Sequence, residues 1–383
     1  MLVKIKRFDW LTVFILLGFM TLSYLLIHSA IFDNPTYRNS NMDKKTLFFY
    51  GLGFLVLFGS SFFNYRLLVK FWWVLYAIGI MLLLGLYKFG VVKNNALSWY
   101  ELPGGLNFQP VELVKLILII SIAGVIARRN GEHIQLLRDV LPIGVLVFIP
   151  FALVLDQPDL GNALIFLVVV VGMLWIGNLK YSYVLIGLAV LIGFMSLFFY
   201  FYDKHHDEWY TYLEASKNQH WMDRIDTFID PDSVDDDKSY QVDKAMTAIG
   251  SGGLNGDGYK QGNSVRNRFI PLPFSDSIFV VLGEEFGFVG AAILLLLYFM
   301  MLYRMILIAI QCDHLSGALI ITGIVSMFVF QIFENVGMLI GIMPLTGITL
   351  PFISYGGSSV LINMLCIGLV NSIRIHREEP SPY

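Results

Sequence analysis

The chain has 383 residues, of which 56% are hydrophobic and only 14% charged, with a formal net charge of −3 and a mean hydropathy of +0.68. So few polar residues cannot clothe a water-soluble globule of this length, and the near-neutral charge argues against nucleic acid or a strongly acidic macromolecule as partner. Composition therefore predicts a membrane protein.

Apolar runs of bilayer-crossing length recur along the chain. In order they lie near residues 10–29, 47–63, 71–87, 111–127, 140–155, 160–176, 183–201, 278–303, 319–340 and 352–373. They predict an all-α polytopic membrane protein of about ten transmembrane helices, a single integral domain over residues 1–383. The first run is too long for a signal-peptide core and has no small-residue cleavage site after it, so it reads as a retained helix. If every run crosses, Lys4, Lys6, Arg7, Arg66, Lys70, Arg128, Arg129, Arg138, Lys180, Arg304, Arg374 and Arg377 share one side. The short loops opposite hold Arg38, Lys44, Lys45, Lys88 and Lys93, and the positive-inside bias then makes both termini cytoplasmic. Cys312 and Cys366 fall in the cytoplasmic half, where a disulfide is not expected.

One extracytoplasmic loop, residues 203–275 between the seventh and eighth helices, is far longer than the rest and is expected to lie over the bundle. Its first part carries His205-His206-Asp207-Glu208, a poor metal site because adjacent histidines point apart, and Asp232–Lys238, which reads as a solvated turn. A short amphipathic helix follows over Gln241–Ile249. Next come glycines at 250, 252, 253, 256, 258 and 262. They lack the strand and βαβ context of a dinucleotide fingerprint, leaving two readings: a backbone nest for an anion, or a flexible turn.

Asp276 ends this loop and opens the apolar run Ile278–Leu282. A carboxylate at a membrane rim has partial desolvation to raise its pKa and a solvent path for its proton, as a general base requires. Ser275, Asp276 and Ser277 can equally cap the helix that follows, and spacing alone favours the cap.

Charges inside apolar runs are costly and are functional candidates. Glu112 and Lys115, three apart, share a helix face and can neutralise each other or line an outward groove. Glu284 and Glu285 follow Asp276 by about two turns, so at most one can share its groove, and Glu334 and Asn335 sit in the ninth run. Pro158, Gly161, and then Gly337 through Gly357 with Pro344 and Pro351, break helical pattern near the outer face. They predict a polar cavity floored by residues 157–160 and 341–359.

These residues resemble the SEDS proteins, the RodA, FtsW and SpoVE group, over nearly the full length. The most specific blocks are Asn335-Val336-Gly337-Met338, Gly341 to Ile348, and Leu350-Pro351-Phe352-Ile353-Ser354-Tyr355-Gly356-Gly357-Ser358-Ser359. Phe108-Gln109-Pro110 with Glu112 and Lys115, Gln157–Gly161, Arg224 with Asp230-Pro231, and Ala248–Leu254 support them. Phe333-Glu334-Asn335 and Gly283–Gly287 look closer to RodA than to FtsW. The family's usual Thr-Asp-Phe is here Ser275-Asp276-Ser277, and Lys244 stands where Ser or Gln is more usual.

The resemblance implies an inverting peptidoglycan glycosyltransferase in the bacterial plasma membrane. It would polymerise lipid II at the outer face, in elongation or division, beside a monofunctional class B penicillin-binding protein, with Asp276 as the essential acid. Glu112, Lys115 and Asp159 would shape the groove. Lys115, Arg224, Lys260, Arg266, Arg268, the glycine turn or a divalent cation such as Mg or Mn would meet the leaving pyrophosphate. No cofactor or metal ligand is implied with certainty. A flippase for the lipid-linked precursor is the rival reading, and a scaffold for the wall-synthesis partner a third.

Overall fold

The computed structural model describes residues 7–32, 37, 40–93, 96–102, 106–129, 132–215, 236–267 and 269–377. Helices dominate because hydrocarbon offers no water to satisfy main-chain groups, so each crossing segment must satisfy its own. In chain order they are α1 (Trp10–Phe32), α2 (Met42–Phe62), the short α3 (Tyr65–Lys70), α4 (Trp72–Phe89), α5 (Pro110–Ala127), α6 (Leu141–Asp156) and α7 (Leu160–Ile176). Then come α8 (Tyr181–Ala215), α9 (Asp236–Ser251), α10 (Asn263–Arg266), α11 (Ile278–Ile310), α12 (Leu315–Leu339) and α13 (Gly357–Ile375). Among the described residues, nine helices are long and apolar enough to cross a membrane and α7 is a shorter apolar one, in line with the ten predicted runs.

The all-α expectation holds, with one small addition. Between α4 and α5 lies a three-stranded antiparallel sheet, β1 (Val91–Lys93), β2 (Ala96–Leu102) and β3 (Leu106–Phe108), in the order β1-β2-β3. Its β-branched and aromatic residues, Val91, Val92, Trp99 and Tyr100, suit a half-buried pleated surface better than a loop. The Tyr100 hydroxyl donates to the Leu82 carbonyl at 2.8 Å and ties the sheet to α4.

Helix α5 is buried along nearly its whole length and packs against α4, α7 and α12, while α13 packs on α2. Helix α8 is the exception. It continues past the predicted seventh span to Ala215, with a kink at His205, and its apolar half leaves most described side chains exposed. His205 pairs with Glu208 at 2.9 Å. The amphipathic helix expected at 241–249 is longer, starting at Asp236. Thus the end of the acidic run is helical rather than a turn, and acids in a first helical turn complement the helix dipole. Met246 of α9 approaches Gly341, so this part of the loop does rest on the bundle.

The first and last described residues, Arg7 and Arg377, meet at one end. Arg7 donates to the carbonyl of Arg377, and buried Asp9 holds Arg304 at 2.8 Å and Arg374 at 2.9 Å. Burial raises the Asp9 pKa, but hydrogen bonds from Arg304 and Thr12 and the charges of Arg374 and Arg304 outweigh it, leaving the carboxyl below its ordinary value. Helix α11 runs from this end to Asp276 at the other.

Candidate active site

Asp276 sits where three chain segments converge. Ahead of it, the Ser275 N–H donates to the Leu272 carbonyl at 2.9 Å, closing a turn. The Phe274 carbonyl accepts from the Tyr355 N–H at 2.8 Å, and the two rings meet edge to face. Asn335 of α12, fully buried, directs its amide Nδ2 at two main-chain carbonyls, those of Asp276 and Ile348, each at 2.7 Å. Gly347 lies beside the carboxylate: a Cβ added there would come within 3.8 Å of Asp276 Oδ2.

Asp276 as a residue is half-buried. Burial raises its pKa above 3.8, against the opposing pull of its own N–H and that of Ser277. The cap reading fares less well. Helix α11 starts after Ser277, whose side chain makes no capping hydrogen bond.

Glu112, Lys115 and Asp159 form one connected chain of groups. Lys115 Nζ lies 2.8 Å from Glu112 Oε1 and 3.0 Å from Asn162 Oδ1. The Asn162 amide in turn donates to both Asp159 oxygens, at 3.1 and 2.9 Å. Asp159 is also the N-cap of α7, accepting from the Asn162 N–H. Burial raises the Asp159 pKa, with hydrogen bonds from Asn162 and the Lys115 charge opposing. Asn162 went unnoticed in the sequence; its signal was a polar residue three after an acid at a helix start. Lys115 is 1% exposed and Glu112 4%, so the open groove considered for this pair is closed: they are a buried ion pair. Gly161, two residues beyond Asp159, abuts Thr346 and Ile348. The start of α7 and Asp276 therefore approach the same segment, Thr346–Ile348.

The main chain of the glycine-rich stretch meets helix α11: the Lys260 and Gly262 N–H groups face the Glu285 carboxylate, and the turn before them pairs with the helix backbone. Helix α11 is broken at Gly287 (φ 61°, ψ −159°), and the turn supplies the missing main-chain partners. The N–H groups of Asp257 and Gly258 donate to the Glu284 and Glu285 carbonyls, at 2.9 and 3.0 Å. The Gly253 and Leu254 carbonyls accept from Phe288 and Val289, at 2.9 and 3.1 Å. Such close approach explains two of the glycines, since a Cβ on Gly252 or Gly256 would come within 2.1 Å of Gly283 O or 2.2 Å of Glu285 O.

Glu284 and Glu285 serve the same junction rather than the groove of Asp276. Glu284 Oε1 accepts from the Ser264 N–H at 2.7 Å, and Glu285 accepts from the Ser29 hydroxyl. Lys260 and Arg266 share a small recess with Ser29, Phe32 and Glu285. The Lys260 ammonium lies 3.9 Å from the centre of the Phe32 ring, a cation–π contact. Lys244 lies over the Phe269 ring at 4.7 Å. Arg224 and Arg268 lie outside the described residues. Among the described residues, no three His, Cys, Asp or Glu side chains converge as a metal would need.

Glu334 is fully buried one residue before Asn335, with Thr346 as a polar neighbour. Gly161 of α7 and Glu334 and Asn335 of α12 thus adjoin the Thr346–Ile348 segment, while Asp276 borders it from the start of α11.

Residues 9–379 match the FtsW/RodA/SpoVE cell cycle protein family. Stage V sporulation protein E of Bacillus subtilis is 29% identical over 95% of this chain and 96% of its own. Peptidoglycan glycosyltransferase MrdB of Escherichia coli K12 is 31% identical over 79% of this chain and 78% of its own. Among solved structures, a chain of a peptidoglycan synthase complex superposes with a TM-score of 0.79 at 29% identity, covering 97% of this chain and 99% of that one. RodA of Thermus thermophilus gives 0.68 at 28%, covering 97% and 98%. The chain is a polytopic membrane protein that belongs to the FtsW/RodA/SpoVE family.

Proposed function

We propose that this protein is a peptidoglycan glycosyltransferase that polymerises lipid II at the outer face of the plasma membrane, with Asp276 as general base. The observation that carries this reading is the Asp276 carboxylate itself. Asp276 is half-buried at the end of the bundle opposite Arg7 and Arg377, has a raised pKa, and has its main chain pinned by Asn335.

In the proposed step, the C4 hydroxyl oxygen of one lipid-linked disaccharide attacks the anomeric carbon of another. The bond from that carbon to the phosphate oxygen breaks, and the hydroxyl proton passes to Asp276. One displacement inverts the anomeric centre and releases a polyprenyl pyrophosphate. A raised pKa strengthens the base, provided it is ionised at the working pH. Negative charge growing on the leaving pyrophosphate needs positive charge nearby. Lys115 is occupied by Glu112 and Asn162, so the described candidates are Lys260 and Arg266, with Arg224 and Arg268 beyond the described residues. The lipid tails would leave sideways between helices, where only hydrocarbon can shield them.

The synthase-complex neighbour supports a further element, pairing with a class B penicillin-binding protein that crosslinks the strands. The test is glycan-chain formation from lipid II supplied on the outer side, with and without such a partner and with chelator. Polymer from wild type and none from Asp276→Asn supports the base. Transport of lipid II without polymer would favour the flippase reading instead.

A further inference from the structure

The segment ahead of α13 holds a buried turn with no helical ladder to satisfy its main chain. Residues 350–354 close on themselves. The Ile353 and Ser354 N–H groups donate to the Leu350 carbonyl at 3.2 and 3.0 Å, and the Leu350 N–H donates to the Ser354 hydroxyl at 2.8 Å. Phe352, at the centre, is buried and left-handed, with φ 64°. For so bulky a residue that region is a steric outlier, and it persists only where the surroundings over-determine the backbone.

Those surroundings come from three helices. The Pro351 carbonyl accepts from the Tyr298 hydroxyl of α11, the Phe352 carbonyl from the Tyr50 hydroxyl of α2, and the Ile353 carbonyl from the Ser23 hydroxyl of α1. Three consecutive carbonyls thus each take one buried hydroxyl. A buried carbonyl without a donor is costly, so these hydroxyls fix the shape of the turn. The Phe352 ring stacks on Phe19 of α1 at 5.6 Å and tilts against Phe328 of α12 at 5.5 Å.

The turn reaches Asp276 directly. Tyr355, just past it, donates its N–H to the Phe274 carbonyl at 2.8 Å, two residues ahead of the carboxylate. On that side too a bulky residue is left-handed: Leu272 has φ 44°, and its carbonyl accepts from the Ser275 N–H. Two strained turns therefore meet through one main-chain hydrogen bond beside Asp276.

We propose that Tyr50 and Tyr298 are positioning residues: their hydroxyls hold the left-handed turn at Phe352, and through the Tyr355–Phe274 hydrogen bond that turn sets where the Asp276 carboxylate stands. The inference rests on Asp276 as the base of the proposed reaction. Both tyrosines are buried, at 0% and 2% exposure, so their effect on rate passes through the turn rather than through contact with substrate. A misplacement of about 1 Å at a reacting group costs on the order of 100-fold.

The experiment is steady-state polymerisation of lipid II by the purified full chain. Phenylalanine at both positions keeps the rings and removes only the hydroxyls. Tyr50→Phe/Tyr298→Phe should lower kcat by about 10–100-fold while leaving KM within about twofold. Tyr76→Phe is the control, because the Tyr76 hydroxyl donates to the Leu146 carbonyl at 2.8 Å and joins α4 to α6 away from the turn; its kcat should match wild type. The single variants each keep two of the three hydroxyls and should show the same split in smaller measure, which tests the inference even where the double variant does not fold. Unchanged kcat in the folded variants, an equal loss in Tyr76→Phe, or a rise in KM that matches the fall in kcat would each overturn it. Asp276→Asn is assayed alongside. Polymer from that variant overturns the base and this inference together, whereas an inactive Asp276→Asn with tyrosine variants at full rate overturns this inference alone.

Discussion

The side-chain amide of Asn335 donates to the main-chain carbonyl of Asp276 at 2.7 Å, and to that of Ile348 at the same distance. One buried group on α12 thus sets where the proposed base stands relative to the segment it faces. Replacing it by alanine leaves two buried carbonyls without that donor, a cost of about 1–3 kcal/mol each. Asn335→Ala should lower the melting temperature and reduce kcat more than it raises KM. Steady-state kinetics with lipid II would check this, and a pure KM effect would show that Asn335 does not position the base.

Asp276→Asn keeps the shape and removes the base. General-base loss costs about 10²–10⁴-fold in rate, so polymer from lipid II should fall below detection in most assays. The same variant should be no less stable than wild type, because burial already disfavours the ionised carboxylate. Thermal unfolding at neutral pH measures it; an unfolded variant would void the activity result.

The pH dependence follows in sign. The folded Asp276 pKa lies above 3.8, so below that value both folded and unfolded states hold the proton and the group contributes nothing. As pH rises through the interval up to the folded pKa, the unfolded state releases its proton first and this group's contribution to stability falls. Activity should rise over the same interval as the base ionises. A profile of kcat/KM against pH should therefore have an acid limb above pH 3.8 that Asp276→Glu shifts.

Lys115→Met should be among the most damaging substitutions. It strands the buried Glu112 carboxylate, and breaking a buried pair costs roughly 3–5 kcal/mol. Glu112→Gln combined with Lys115→Met should recover part of that loss, as thermal unfolding of single and double variants would reveal.

Two glycines two residues apart should behave oppositely. A Cβ on Gly250 meets nothing within 4 Å, whereas one on Gly252 falls 2.1 Å from a main-chain oxygen. Gly250→Ala should be near neutral, and Gly252→Ala should cost about 1–3 kcal/mol or more through overpacking. Equal stability of the two would mean that the turn does not seat against α11.

Much of this architecture was legible in order of sequence, because a membrane helix announces itself within one apolar window. The Glu112–Lys115 pair was equally local, being three residues apart on one helix. What escaped depends on distance along the chain. Asn162 matters through Lys115, 47 positions away, and the glycines matter through a break in α11 that the turn itself repairs. The tenth apolar run gives a helix only from Gly357, because Pro351 and the glycines before it serve the segment facing Asp276. The sheet escaped because two of its three strands span only three residues and carry too little periodicity to register.

The break at Gly287 also limits how the molecule can move. Residues 253–258 complete the hydrogen-bond ladder of a spanning helix, so lifting them away would expose four main-chain groups to hydrocarbon at several kcal/mol each. A hinged lid at this position would have to tear a transmembrane helix in two whenever it opened. The proposed lipid-linked substrate would then have to go around this seam, leaving the turn seated while the flanking helices give way.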